Sequence, residues 1–268
     1  MASSATHIAV SAGLDEKKKA EVKRIHHIPR PESLEAQRQW QLEQMAGAFR
    51  MFAKFGYADG ASGHISLRDP VQPDTFWINP YGVHFGLLKV SDMVHVDDKG
   101  ERIGGADLGV NKAGFIIHSS IHAARPDINA ACHLHSPYGR AWSTFGRPID
   151  MLNQDSCMFY DDLSVYASFG GVVFAPEEGR KIADALGPRK KNVILQNHGL
   201  LTCGETVAEA AAFFVGLERA CQTQLLIESV IAPGTVGAVT GLTKTFVSDE
   251  EAKYTKAGTG TPEVVHAV

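Results

Sequence analysis

The sequence predicts one α/β domain of three layers, with a mostly antiparallel central sheet covered by helices, and three observations lead there. The chain has 268 residues, enough to bury one substantial core. Short segments rich in β-formers and separated by turn signals alternate with longer stretches whose apolar residues recur at helical spacing. No internal repeat and no second regime of composition divides the chain, so these elements are expected to share one core.

Taken in order, residues 1–32 are polar and carry the charge run "DEKKKAEVKR"; they are expected to form a mobile N-terminal arm, with His26 and His27 exposed to solvent. The domain itself is expected over 33–235. Ser33 is a plausible N-cap for a helix that places Leu42, Met45, Phe49 and Phe52 on one face and stops at Gly56. "ASGHISLRD", "DTFWINP" and "MVHVDDKGERI" read as antiparallel strands punctuated by Asp-Pro, Pro-Asp, Tyr-Gly and Lys-Gly.

A second helix follows in "NKAGFIIHSSIHAARPD", where Phe115, His118, Ile121 and His122 share a face and Pro126 enforces the stop. "INAACHLHS" has strand character. "RKKNVILQNHGLLTCG" reads as a buried strand, a turn at Asn197-His198-Gly199 and a further strand. Thr206 with Glu209 forms a capping box opening the long apolar helix that Pro233-Gly234 ends; Glu205 and Glu209 are read as capping residues only. Residues 236–268 are expected to be a C-terminal tail with a short helix, opened by a second box, Ser248 with Glu251.

Composition limits function. With 26 Lys+Arg against 30 Asp+Glu the formal charge is -4, so no basic surface advertises a nucleic-acid partner. The four cysteines lie far apart, which argues against a disulfide framework or a thiolate zinc site and fits a reducing compartment. No run approaches the ~18 apolar residues of a membrane span, and Asp15, Glu16 and Glu21 argue against a transit peptide; a cytoplasmic location is expected.

Within "NAACHLHSPYGRAW", His133 and His135 stand two apart. In a strand, side chains at i and i+2 leave the same face roughly 7 Å apart, so both rings can reach one point. Alone the pair is a weak signal, and two imidazoles that merely sit in a strand are the more ordinary reading. His198 lies where an apolar strand breaks, before a glycine that permits close backbone approach. Three neutral imidazoles would suit Zn(II), Fe(II), Co(II) or Mn(II) and leave positions open for a substrate.

"INAACHLHSPYGRAWSTFG", followed by "VILQNHGLLTCGETVAEAAAFF", resembles the class II aldolase/adducin superfamily, and "YADGASGHISLRDP", "INPYGVHFGLLKVSDMVHVD" and "IHAARPDINA" resemble its upstream blocks in the same order. The resemblance spans about Leu42 to Ile231. It implies a single class II aldolase-like domain, a divalent metal on His133, His135 and His198, a small-molecule substrate and a homo-oligomer, frequently a tetramer. It also implies two departures. The sugar-phosphate aldolases carry an acid/base glutamate four positions before the histidine matching His118, and here that position is Gly114. Where they commonly have asparagine and serine, this chain has His64 and Tyr81.

Losing small donors and gaining rings favours a non-phosphorylated, aromatic or carboxylate-bearing substrate. "NQDSCMFYDD" resembles a branch that includes the non-haem iron oxygenases of aminocoumarin biosynthesis and related decarboxylases. The expected function is metal-dependent C–C cleavage of a hydroxy or oxo acid, of retro-aldol or decarboxylation type. The alternatives are an Fe(II) oxygenase on arylpyruvate- or mandelate-like substrates and a non-catalytic adducin-like scaffold. His118, Tyr160 and His64 are the candidate catalytic residues. Gln154 and Asp155 are candidates for a supporting polar shell, Arg140 for pairing with a substrate carboxylate, and His84 and His122 are weaker pocket candidates.

Overall fold

The computed structural model describes residues 29, 31–171, 176–232 and 241–260. Apart from residues 29, 31 and 32, the expected N-terminal arm lies outside these, as do His26 and His27, Pro233-Gly234 and the ends of the expected tail. Helix α1 (Leu34–Lys54) begins where the Ser33 hydroxyl accepts from the Ala36 N–H at 3.1 Å, and it buries Leu42, Met45, Phe49 and Phe52. It ends ahead of Gly56, whose φ of 79° a glycine adopts without strain.

The strands β1 (His64–Arg68), β2 (Phe76–Ile78), β3 (Val94–Val96) and β4 (Arg102–Gly105) form an antiparallel meander. After α2 (Lys112–Ala124) the chain enters β5 (Ala130–Leu134), then α3 (Pro137–Ser143), β6 (Leu163–Tyr166) and α4 (Pro176–Leu186). The hairpin β7 (Asn192–Leu195) and β8 (Gly199–Gly204) precedes α5 (Val207–Ile231) and α6 (Asp249–Thr259). Among the described residues the eight strands lie in the order β4-β3-β2-β1-β5-β8-β7-β6, and only β6 and β7 pair in parallel. The Ser248–Glu251 capping box forms at the start of α6.

Side-chain alternation sorts the sheet into two faces. Ile65, Leu67, Cys132 and Leu134 join α1 and α5 in one apolar cluster. Ala131, Val193, Leu195, Leu201 and Cys203 meet Ile117 and Ile121 of α2 and Ile182, Ala183 and Leu186 of α4 in another. Phe115 extends α2 over Phe76, Ile78, Val94 and Val96. The result is the expected three layers. Among the described residues no helix is long and apolar enough to cross a membrane.

Two local readings need correction. Glu209 is more than a cap: its backbone N–H does donate to the Thr206 hydroxyl, but its buried carboxylate also accepts from the Glu205 N–H and pairs with Lys191 at 2.6 Å. The strand carrying the histidine pair stops at Leu134, so His135 stands one residue beyond it.

Candidate metal centre and its buried histidine line

On β5, in register with Leu201 of β8, His133 is fully buried, and its Nδ1 donates to the Leu200 carbonyl at 2.8 Å. A carbonyl can only accept, so Nδ1 bears the proton and Nε2 is left bare. His198 arrives from the β7–β8 turn, where Asn197 takes φ of 58°, a conformation asparagine tolerates better than most residues. Gly199 follows because a Cβ there would lie 2.9 Å from the Leu134 carbonyl oxygen. His135 completes the set: its ring centroid is 5.2 Å from that of His133 and 4.8 Å from that of His198. One ligand nitrogen from each of the three rings lies within 4.8 Å of the others.

The carboxylate that closes the helix start directly after His135 comes from a distant helix. Buried Glu218 of α5 accepts from the Ser136 hydroxyl at 2.5 Å and from the Tyr138 and Gly139 N–H groups at 2.8 and 2.6 Å. It thereby satisfies the open N-terminus of α3 directly after His135. Burial raises its pKa, although each of those hydrogen bonds works in the opposite direction.

All three rings are neutral. Burial holds His133 well below its ordinary value, with His198 adding to the effect. Burial, then the neighbouring His135, lowers His198 to about 4. His135 is lowered by burial and then by Arg140. Neutral imidazoles, one already oriented by a second hydrogen bond, are what a divalent cation such as zinc or iron requires. The donor set therefore fits the metal that the sequence resemblance implies.

The triad opens on a cavity of about 500 Å³ also lined by His64, Tyr81, Gly114, Arg140, Phe169 and Asn197. Arg140 sits at its rim and forms an exposed ion pair with Asp59 at 3.1 Å. It is the only lining residue among those described that carries a formal charge at neutral pH.

Behind the triad runs a second set of histidines. His64 of β1 is the register partner of His133, and β1 alternation turns His64, Ser66 and Arg68 toward α2. His118 and His122, one helical turn apart on α2, face them. His64 Nδ1 lies 3.1 Å from His118 Nε2, and His118 Nδ1 lies 2.8 Å from the Ser66 hydroxyl. That hydroxyl is 2.8 Å from His122 Nε2, and His122 Nδ1 is 3.1 Å from the Ile128 carbonyl. Burial lowers His64 and His122 to about 3 and His118 well below its ordinary value, so this line too is uncharged.

The two departures at positions 64 and 114 are one event in space. A methyl added at Gly114 would fall inside the His64 ring, nearest Nε2 and Cδ2. The imidazole fills the space that a longer side chain on α2 would need.

Of the expected site residues, His133, His135 and His198 come together, and His64 and His118 stand directly behind them. Tyr160 does not join them. It precedes β6, at the Leu163–Asn192 end of the β6–β7 pair, whereas His198 follows the opposite end, and it lines a separate cavity with Arg189, Lys253 and Lys256. In the single chain Tyr160 is not among the residues that line the cavity of the triad. Gln154 and Asp155 are exposed on a turn closed by Asn153 and Ser156. His84 is exposed and caps its own 3-10 turn through the Gly86 N–H. Sequence reasoning missed Ser66, Glu218 and Asp59; only Ser66 had a usable signal, two residues beyond His64 on an alternating strand.

Known proteins share this arrangement of elements. Residues 43–225 match the family model described as Class II Aldolase and Adducin N-terminal domain. Meiotically up-regulated gene 14 protein of Schizosaccharomyces pombe is 46% identical over 79% of this chain and 82% of its own length. Decarboxylase NovR of Streptomyces niveus is 43% identical over 72% of each chain. A 4-hydroxy-3-prenylphenylpyruvate oxygenase/4-hydroxy-3-prenylbenzoate synthase of Streptomyces roseochromogenus subsp. oscitans is 43% identical over 69% of this chain and 66% of its own length. Among solved structures, L-fuculose 1-phosphate aldolase from Glaciozyma antarctica PI12 superposes with a TM-score of 0.78 at 38% identity, covering 90% of this chain and 89% of that one. With its fold, its matched segment and these relatives in agreement, the chain belongs to the class II aldolase and adducin family.

Proposed function

We propose that this protein is a divalent-metal-dependent lyase that cleaves a C–C bond of a non-phosphorylated hydroxy or oxo acid. The observation that carries the reading is the convergence of three neutral imidazoles, His133, His135 and His198, at the wall of a cavity with one cationic residue at its rim. A zinc or iron(II) ion held there would polarise a substrate oxygen and stabilise the negative charge that develops as the bond breaks. Cobalt or manganese would suit the same ligands.

The protein's own groups divide the remaining work. Arg140 is placed to exchange its exposed partner Asp59 for a substrate carboxylate. Tyr81 and Phe169 offer ring surface to an aromatic substituent. The Ser62 hydroxyl donates to the Asp59 carbonyl at 3.2 Å, which leaves this loop short of the side-chain donors a phosphate would call for. Buried His64 and His118 hold their protons in defined places beside the cavity.

The relative named a decarboxylase supports the lyase reading, and the one named an oxygenase supports a second, Fe(II)-dependent oxygenation of an arylpyruvate- or mandelate-like acid at the same site. The homo-oligomeric state and cytoplasmic location expected from the sequence belong to the same proposal. Metal analysis of purified protein and of His133→Ala and His198→Ala is the test. About one divalent ion per chain, lost in both variants, supports the reading, and unmodified protein without metal under metal-replete conditions overturns it. Turnover of an aryl hydroxy or oxo acid without oxygen uptake separates lyase from oxygenase. Retention of a protein partner with no effect of a chelator would favour the adducin-like scaffold.

A further inference from the structure

The line of hydrogen bonds behind the metal centre has a direction. It ends on the Ile128 carbonyl, which can only accept, so His122 carries its proton on Nδ1 and its Nε2 is an acceptor. The Ser66 hydroxyl must then spend its single proton on His122 Nε2, and it can only accept from His118 Nδ1–H. His118 Nε2 is thereby an acceptor, and His64 donates to it through Nδ1–H. Each step follows from the one before because a buried imidazole with one proton donates through one nitrogen and accepts through the other. The consequence is that His64 Nε2 has no proton.

His64 and Gly114 both line the cavity beside His133, His135 and His198, and His64 Nε2 lies against the bare Cα of Gly114, at that wall. Among the described residues no hydrogen-bond donor meets it.

We propose that His64 determines specificity by accepting at Nε2 a hydrogen bond from the hydroxyl of a 2-hydroxy acid, so that the cavity prefers the hydroxy acid over the 2-oxo acid of the same skeleton. A carbonyl oxygen in that place has no proton to give and would set its lone pairs against that of Nε2. A site arranged to pair with a hydroxyl rejects the analogue that lacks it because its own polar group is left unsatisfied. Ser66 and His122 act through His118 and are positioning residues: they fix which nitrogen of His64 is bare. The inference rests on the reading of this cavity as a metal-dependent acid site and narrows its substrate class.

Two measurements test it, and the first needs no metal. Long-range 1H–15N correlations on metal-free, 15N-labelled protein should show His64 protonated at Nδ1 and bare at Nε2; a proton on Nε2 overturns the proposal. The second compares binding of mandelate and of benzoylformate, which cannot enolise, to zinc-loaded protein by calorimetry. One neutral hydrogen bond plus the unsatisfied partner predicts a preference for mandelate of about 10- to 100-fold. In His64→Phe, which keeps a ring but no Nε2, the preference should collapse to within about threefold while zinc content stays at the unmodified level. Ser66→Ala should retain zinc and lose part of the preference. A preference that survives His64→Phe, equal affinity for the two acids, or no measurable binding of mandelate overturns the proposal. Absence of zinc from the unmodified protein would instead sink the metal reading, whatever the tautomer of His64.

Discussion

Six histidines crowd one end of the sheet, and they form two groups with opposite uses. In the first, His133, His135 and His198 turn nitrogens toward one another around a cavity. In the second, His64, His118 and His122 turn nitrogens toward defined partners, ending on a backbone carbonyl. Both groups are neutral, and both are lowered in pKa by burial first. In the second group the lone pairs of His118 and His122 already have donors, whereas those turned toward the cavity, His64 Nε2 among them, do not. Residue type and sequence spacing therefore do not assign a role to a histidine; the partner of its second nitrogen does.

The contrast can be broken most decisively at the triad. Removing one of three ligands, as in His133→Ala or His198→Ala, should weaken metal binding by more than the 10- to 100-fold that loss of a mere outer-shell partner costs. Dialysis against a metal buffer followed by elemental analysis reads this directly. The second group should respond in stability instead. His118→Ala leaves a cavity and two unsatisfied neighbours, and is expected to cost about 2–4 kcal/mol in urea unfolding. A smaller loss for His118→Ala than for His135→Ala would erase the distinction.

Gly114→Ala sharpens the comparison from the helix side. Its Cβ displaces the His64 ring, so a cost of about 1–3 kcal/mol is expected. Replacing His64 with asparagine should relieve part of that cost, giving a coupling of about 0.5–3 kcal/mol in a double-mutant cycle; additive losses would show that the two positions are independent.

A pH series compared between the unmodified protein and a His122 variant addresses the buried line. His122 titrates near 6.5 when unfolded and at about 3 when folded. The unfolded chain thus binds the extra proton between these values, and stability falls as pH drops through that window and is level above it. The slope from one such group is at most about 1.4 kcal/mol per pH unit. Urea midpoints for His122→Phe should flatten by that share, and an unchanged slope would contradict neutral burial. The smallest effect is expected of Tyr160→Phe, which lies in another cavity and should change turnover less than about twofold. A larger loss would restore Tyr160 to the site.

Much of this was legible in the residues. Helices α1, α2 and α5 follow their apolar stripes and caps, and Ser33, Pro126 and Thr206 mark boundaries where local physics suffices. The stretch from α3 to α4 was not resolved into elements: α3 is seven residues long, β6 is four, and neither length lets a period emerge. The metal triad could be proposed from His133, His135 and His198 because two of the three are close in sequence. His64, His118 and His122 could be named only singly and not as a line, since they meet only through the β1–β5 register and the docking of α2. Glu218 was hidden for the same reason, as one of three carboxylates in an apolar helix, with partners about 80 positions upstream.

That carboxylate also sets an order of events. Ser136, and with it the place of His135, is held by a side chain 82 residues further along the chain. Contacts of such separation close late, after the loop between them has been ordered. The candidate ligand set is thus expected to assemble together with that long-range contact, unlike small domains that stay unfolded until metal arrives. Ion exchange at this site should accordingly be a reversible traffic through a standing fold, in which stripping the metal leaves the secondary structure in place.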